Sequence, residues 1–162
     1  MLARTTIVAA TLLLAATPVW AADDEQAIRD LEVKFGQAFI NKDVDAIMKV
    51  YAPDVHVFDV VPPRQYVGGE AYRQDWENYL GSIDGPVQFT IGDLDITVDG
   101  NLGFSHMIQY VKGTDTKGQN FDSAFRITDV YQKINGEWLI VHEHVSVPVD
   151  LETGTPDMKS SP

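Results

Sequence analysis

Trp138-Leu139-Ile140-Val141-His142-Glu143-His144-Val145-Ser146-Val147, launched by the pair Asn135-Gly136, is the stretch from which the fold can be read. It is rich in β-branched and aromatic residues, and Asn-Gly is the commonest two-residue hairpin turn, since both of its positions tolerate a positive φ. A hairpin is therefore expected, with Asn120–Lys133 as the partner strand. If the turn holds two residues, Ile134 faces Glu137, Val130 faces Val141, Thr128 faces Glu143 and Arg126 faces Val145.

That register sorts the side chains into two faces. Ala124, Arg126, Thr128, Val130, Leu139, Val141, Glu143 and Val145 share one. Phe125, Ile127, Asp129, Tyr131, Trp138, Ile140, His142 and His144 share the other. Both are largely apolar. A sheet that packs on helices through one face needs a cover for its second, and the simplest is another copy of the chain.

Upstream of the hairpin the chain reads first as helix. Ile28, Leu31, Phe35, Ala38 and Phe39 recur at helical spacing between Asp24 and Ile40. Asp43 is placed to cap a short second helix carrying Val44, Ile47 and Val50. Val55–Val61 alternates as a strand, with Val55, Val57 and Asp59 on one side, before Pro62-Pro63 stops it. Gly68-Gly69 then opens a third helix with Tyr72, Trp76, Tyr79 and Leu80 on one stripe, closing near Gly81. From Val87 onward the pattern is strand, with a phase shift at Gly92-Asp93 that signals a bulge and a turn at Asp99-Gly100-Asn101. Helices followed by a long antiparallel run give an α+β class, a sheet curled around helices on one side.

The two ends stand apart from this domain. Arg4, the uncharged run Thr5–Thr17 and the small-residue site Val19-Trp20-Ala21 have the make-up of a cleavable secretory signal over residues 1–21. Its apolar run is shorter than a membrane span requires. Secretion or a periplasmic location is the expectation, with a domain over 22–147 and a loose tail, rich in Pro, Thr and Ser, over 148–162. Twelve basic side chains stand against 24 acidic ones, a net charge of −12 that becomes one unit more negative without Arg4. Such a surface repels nucleic acid and anionic membranes. The absence of cysteine removes disulfides and thiolate metal sites alike.

Asn41-Lys42-Asp43-Val44-Asp45 leading to Tyr51-Ala52-Pro53-Asp54, then Phe58-Asp59, Val67-Gly68-Gly69, and the ending Trp138-x-x-x-His142-x-His144-x-Ser146 carry a resemblance over about Glu25–Val147. The chain resembles the SnoaL-like, or nuclear transport factor 2-like, superfamily, which includes ketosteroid isomerases, SnoaL-type cyclases and the calcium/calmodulin-dependent kinase association domain. The resemblance implies a cone, a curved sheet on three helices with a pocket at its open end, and dimers through the sheet. It also implies that Asp59 matches the proton-shuttling base of ketosteroid isomerases. Their oxyanion-hole tyrosine falls at Phe35 and their neutral carboxylic acid near Thr128, so steroid isomerisation itself is not implied.

Each candidate residue carries two readings. Asp59, pointing with Val55 and Val57, is either a desolvated base or a strand-end aspartate capping backbone or meeting Arg64. Arg126 and Glu143 read as an ion pair at a pocket floor, structural or ligand-orienting. His142 and His144 project together as two metal ligands would, but with no third ligand nearby, so no metal is expected, and Asp129 hydrogen-bonded to His142 beside Tyr131 is the preferred alternative. Asp129, Tyr131, Trp138, His142 and His144 thus fall on the face a dimer would cover. Phe35, Phe39, Tyr72 and Trp76 are helix-stripe aromatics, either core or the wall of an apolar pocket. No phosphate-binding glycine loop or nucleophile motif is present. The expected function is binding of a small, apolar or ring-containing molecule, with cofactor-free proton transfer from Asp59 if there is turnover. The alternative is a non-catalytic association module that works through its sheet face.

Overall fold

A computed structural model describes residues 19–159. The expected signal peptide lies outside the described residues except at Val19–Ala21, which form the start of the first helix.

Helix α1 (Val19–Ile40) buries Ile28, Leu31, Phe35, Ala38 and Phe39, the stripe set by the helical spacing. Asp43 caps α2 (Val44–Met48), its side chain accepting from the Ala46 amide at 2.9 Å. Strand β1 (Tyr51–Phe58) starts earlier than the alternation indicates and carries Pro53 near its beginning. A two-residue strand β2 (Tyr66–Val67), too short to show a period, pairs back on β1. Helix α3 (Gly69–Gly81) buries Tyr72, Trp76 and Leu80. Four long strands follow, β3 (Ile83–Asp99), β4 (Leu102–Asp115), β5 (Asn120–Ile134) and β6 (Glu137–Ser146).

The six strands form one mixed sheet in the order β2-β1-β6-β5-β4-β3, with β1 and β6 parallel and every other pair antiparallel. The curved, unclosed sheet wraps the three helices, the α+β architecture expected. Its inner side is dry, carrying Val55, Val57, Val87, Phe89, Met107, Val111 and Ile127. The glycines on this side allow close approach. A Cβ on Gly36 would stand 3.1 Å from the Phe89 ring, and one on Gly103 would stand 2.9 Å from Ile28. The phase shift at Gly92-Asp93 is a register shift between β3 and β4.

The β5–β6 hairpin corrects the face assignment. Asn135 (φ 53°) and Gly136 (φ 90°) make the two-residue turn, and Ile134↔Glu137 through Tyr131↔Ile140 pair as expected. Val141 is then bulged out, and from Val130↔His142 onward the register is displaced by one residue, so Asp129 pairs with Glu143 and Arg126 with Ser146. The parallel pairing with β1 also shifts between Tyr51 and His56. An alternation unbroken along the strand would have put Trp138 and Glu143 on opposite faces; the bulge puts both inside.

The C-terminal segment, read from its composition as a loose tail, turns back along the sheet. Asp157 donates to the Pro148 carbonyl at 2.8 Å, and Ala124 in β5 donates to the Met158 carbonyl at 2.8 Å. No helix among the described residues is long and apolar enough to cross a membrane.

Candidate active site

The cone holds a cavity of about 300 Å³ between α1, α3 and the inner side of the sheet, with the exposed pair Val60 and Val61 at its rim. Its walls are mainly rings. Phe35 and Phe39 come from α1, Tyr72, Trp76 and Tyr79 from α3, and Phe125 from β5. Trp76 is the hub, with centroids 5.6 Å from Phe35, 5.9 Å from Phe39 and 5.6 Å from Tyr72. Edge-on arrangements of this kind hold a wall rigid. The helix-stripe aromatics of the sequence are thus core on one side and pocket lining on the other.

Against this apolar background the cavity presents Asp59 and Glu143. Asp59 follows β1 directly and is half-buried. Oδ1 accepts from the amides of Val60 and Val61, as a strand-end cap does, while Oδ2 faces the Tyr72 hydroxyl at 3.5 Å. Burial raises its pKa, and the nearby Asp75 carboxylate adds to the rise.

Glu143 lies deeper and is 3% exposed. Tyr72 donates a short hydrogen bond to Oε1, and Tyr51 donates to Oε2 at 2.9 Å. Burial pushes its pKa up to about 7; the two phenols hold it down and the Asp59 charge pushes it further up. The Tyr72 hydroxyl therefore stands between two carboxyl groups, one near the rim and one at the floor. It stays protonated, because burial and the neighbouring Glu143 raise its pKa well above the usual phenol value.

A second polar cluster lies behind the floor. The Tyr131 hydroxyl donates to Glu32 Oε1 at 2.8 Å, lies 2.8 Å from Ser105 Oγ and 3.4 Å from Asp129 Oδ2. Burial pushes Glu32 up to about 7 and raises Asp129 well above the carboxylate range, with Glu143 and Glu32 adding to the latter shift. Asp129 Oδ1 has no partner among the described residues. These carboxyls have no cationic hydrogen-bond partner among the described residues, so burial favours their protonated forms.

Several expected site residues lie elsewhere. Arg126 and Thr128 are exposed on the outer face, so the Arg126–Glu143 pair does not form and the tyrosines take its place. Asp129, Tyr131 and Trp138, expected on a dimer face, are buried on the helix side. Trp138 there donates to Asp24 Oδ1 at 3.0 Å. Asp129 pairs across the hairpin with Glu143 rather than His142. His142 and His144 do lie on the outer face, packing edge-on against Phe58 at 5.1 and 5.8 Å. Phe35 and Trp76 line the cavity as expected.

Glu143 is the residue the sequence placed in the pocket for the wrong reason. It enters through a bulge rather than by strict alternation. Tyr51, Tyr72 as a donor, Asp75 and Glu32 were missed. Only Glu32 left a trace, at helical spacing from Ile28 and Phe35 in the apolar stripe of α1.

Comparison with known proteins agrees with the geometry. The family model of the SnoaL-like domain matches residues 28–150. An NTF2-like protein of unknown function from Pseudomonas putida KT2440 is 29% identical, with a TM-score of 0.80 over 88% of this chain and 99% of that one. A ketosteroid isomerase-like protein from Erwinia carotovora atroseptica SCRI1043 is 15% identical, with a TM-score of 0.67 over 76% and 95% of the two chains. A candidate calcium/calmodulin dependent protein kinase II association domain from Xanthomonas campestris is 22% identical, with a TM-score of 0.65 over 88% and 96%. The last two are similar in fold alone. No curated protein matches the sequence.

Proposed function

We propose, from the premise that the chain belongs to the SnoaL-like domain family, that its cone binds a small, mostly apolar molecule and moves a proton on it without a cofactor. The observation that carries this reading is the Tyr72 hydroxyl set between Asp59 and Glu143 in a cavity otherwise walled by rings. Asp59 is the base. One of its oxygens is fixed by backbone amides, the other, held only by the long contact to the Tyr72 hydroxyl, takes a proton from a carbon beside a carbonyl, and its raised pKa brings it nearer to the pH at which it must work. In its protonated form, which burial favours, Glu143 donates to the Tyr72 oxygen, which frees the Tyr72 O–H to donate to the carbonyl and stabilise the charge that develops there. The ring walls exclude water, which strengthens both effects. The test is Asp59→Asn, which is expected to abolish proton exchange at the α carbon of a small ring ketone while leaving the fold intact.

A second reading concerns assembly. Phe58, Leu102 and Phe104 are 41%, 55% and 44% exposed on the side of the sheet turned away from the helices. A homodimer through that face would cover them, and it is compatible with a working cone on the other side. The same account takes the protein to be exported, supported by the uncharged apolar run Thr5–Thr17 ahead of Val19-Trp20-Ala21.

A further inference from the structure

The charge of the cone is one-sided. Asp59, Asp75 and Glu143 all line it, and no lysine, arginine or histidine does so among the described residues. The neutral polar groups there are Asn78 and Gln109, the hydroxyls of Tyr72 and Tyr79, and the indole N–H of Trp76, which has no partner among the described residues. Asp75 is held in place by the Tyr66 hydroxyl at 2.7 Å, so its charge is fixed beside the cavity rather than swinging out to water.

The rest of the surface is aromatic. Six ring side chains face the same 300 Å³ space, four of them gathered around Trp76, where Tyr79 completes the set at 6.2 Å. The face of an aromatic ring carries negative charge density and attracts cations, most strongly when water is excluded. Rings and carboxylates therefore favour the same sign of ligand. An anion would be repelled by every charged group present. A neutral body can fill the ring-walled space but leaves the Asp59–Asp75 side of the cavity without a counter-charge. A metal ion needs converging ligands, and no group of three acidic or histidine side chains is placed to hold one among the described residues. What fits is a positive charge spread over carbon, on a molecule with enough apolar surface to fill the cavity. The net charge of −12 would draw such molecules towards the protein.

We infer that the ligand class of the cone is an organic ammonium ion with an apolar or aromatic body, seated with its charge between the Trp76-centred rings and the Asp59–Asp75 side. This rests on the reading of the cone as a ligand pocket and names the chemistry it selects.

The probes are phenyltrimethylammonium and its uncharged carbon isostere tert-butylbenzene, which share shape and differ in charge. Binding of each to the full chain is followed by ligand-observed NMR, in the wild type and in Asp75→Asn, with circular dichroism confirming that the variant folds. The expected result is at least about ten-fold tighter binding of the cation in the wild type. That preference should shrink in Asp75→Asn, while the affinity for tert-butylbenzene stays unchanged. Equal binding of the two, or tighter binding of tert-butylbenzene, overturns the cation assignment and leaves the apolar pocket standing. Binding of neither removes the pocket reading and this inference together. A cation preference that survives undiminished in Asp75→Asn also overturns the proposal, since the charge is then not seated against the Asp75 side of the cone.

Discussion

Glu143 shows how a single carboxyl can be set to work by its surroundings. It is buried and has no cationic partner, so despite the hydrogen bonds it receives from two phenols the folded state prefers it protonated up to about pH 7, against an ordinary value of 4.5. The consequence for stability follows from linkage. A folded-state pKa raised above the unfolded value means that the folded protein binds more protons between the two values. The stabilisation is complete below pH 4.5 and is lost as pH rises through about 7. Glu32 has a raised folded value of about 7 as well and acts in the same window. Unfolding free energy from urea titrations should therefore fall by on the order of 1 kcal/mol per pH unit across it. Glu143→Gln, which keeps the shape and removes the titration, should flatten that slope; an unchanged slope in the variant would mean that Glu143 does not titrate there. None of this was legible residue by residue. The local sequence placed Glu143 in the pocket with Arg126 as its partner; its burial without a cation, which raises its pKa against the pull of the Tyr51 and Tyr72 hydroxyls, comes from the fold.

Among the elements, those with long, clean periodicity could be read from the sequence, because a buried stripe on a helix repeats over several turns and leaves little choice of face. The α1 and α3 stripes came through intact, as did the Asp43 cap and the Gly92-Asp93 bulge, where a glycine marks the break. The bulge at Val141 carries no such mark. It lies in a run of β-branched residues, and it is stabilised by pairing on both sides, with β5 and with the parallel β1, neither of which the local sequence records. One extra residue there exchanged the expected pocket set, Arg126 and Thr128, for Tyr51 and Tyr72. Close packing between elements can be tested at Gly103, where β4 passes beneath α1. A side chain there meets Ile28 at 2.9 Å and the Thr97 carbonyl at 3.3 Å. Gly103→Val should lower stability by about 1–3 kcal/mol, measured by thermal or chemical unfolding. A neutral effect would show that α1 can move off the sheet at little cost.

For the molecule as a whole, the α+β class was evident from the order of helices and strands, and the cone was implied by the family resemblance. Which side of the sheet each hairpin residue faces was not. The architecture gives one face of the sheet to the helices and the cavity and turns the other outward. Phe104, 44% exposed near the start of β4, lies on the latter. A dimer through that face should become monomeric in Phe104→Glu, with secondary structure and cone binding retained, as read by light scattering coupled to size exclusion. A wild type that is already monomeric at micromolar concentration would refute it. The central claim, however, concerns the cone, and it is tested most directly by proton exchange. The α protons of 2-tetralone in deuterated buffer are followed by proton NMR with wild-type protein and with Asp59→Asn. The account predicts exchange well above the buffer rate for the wild type and a loss of about 100-fold or more in the variant; exchange no faster than buffer, or equal in the two proteins, would contradict it.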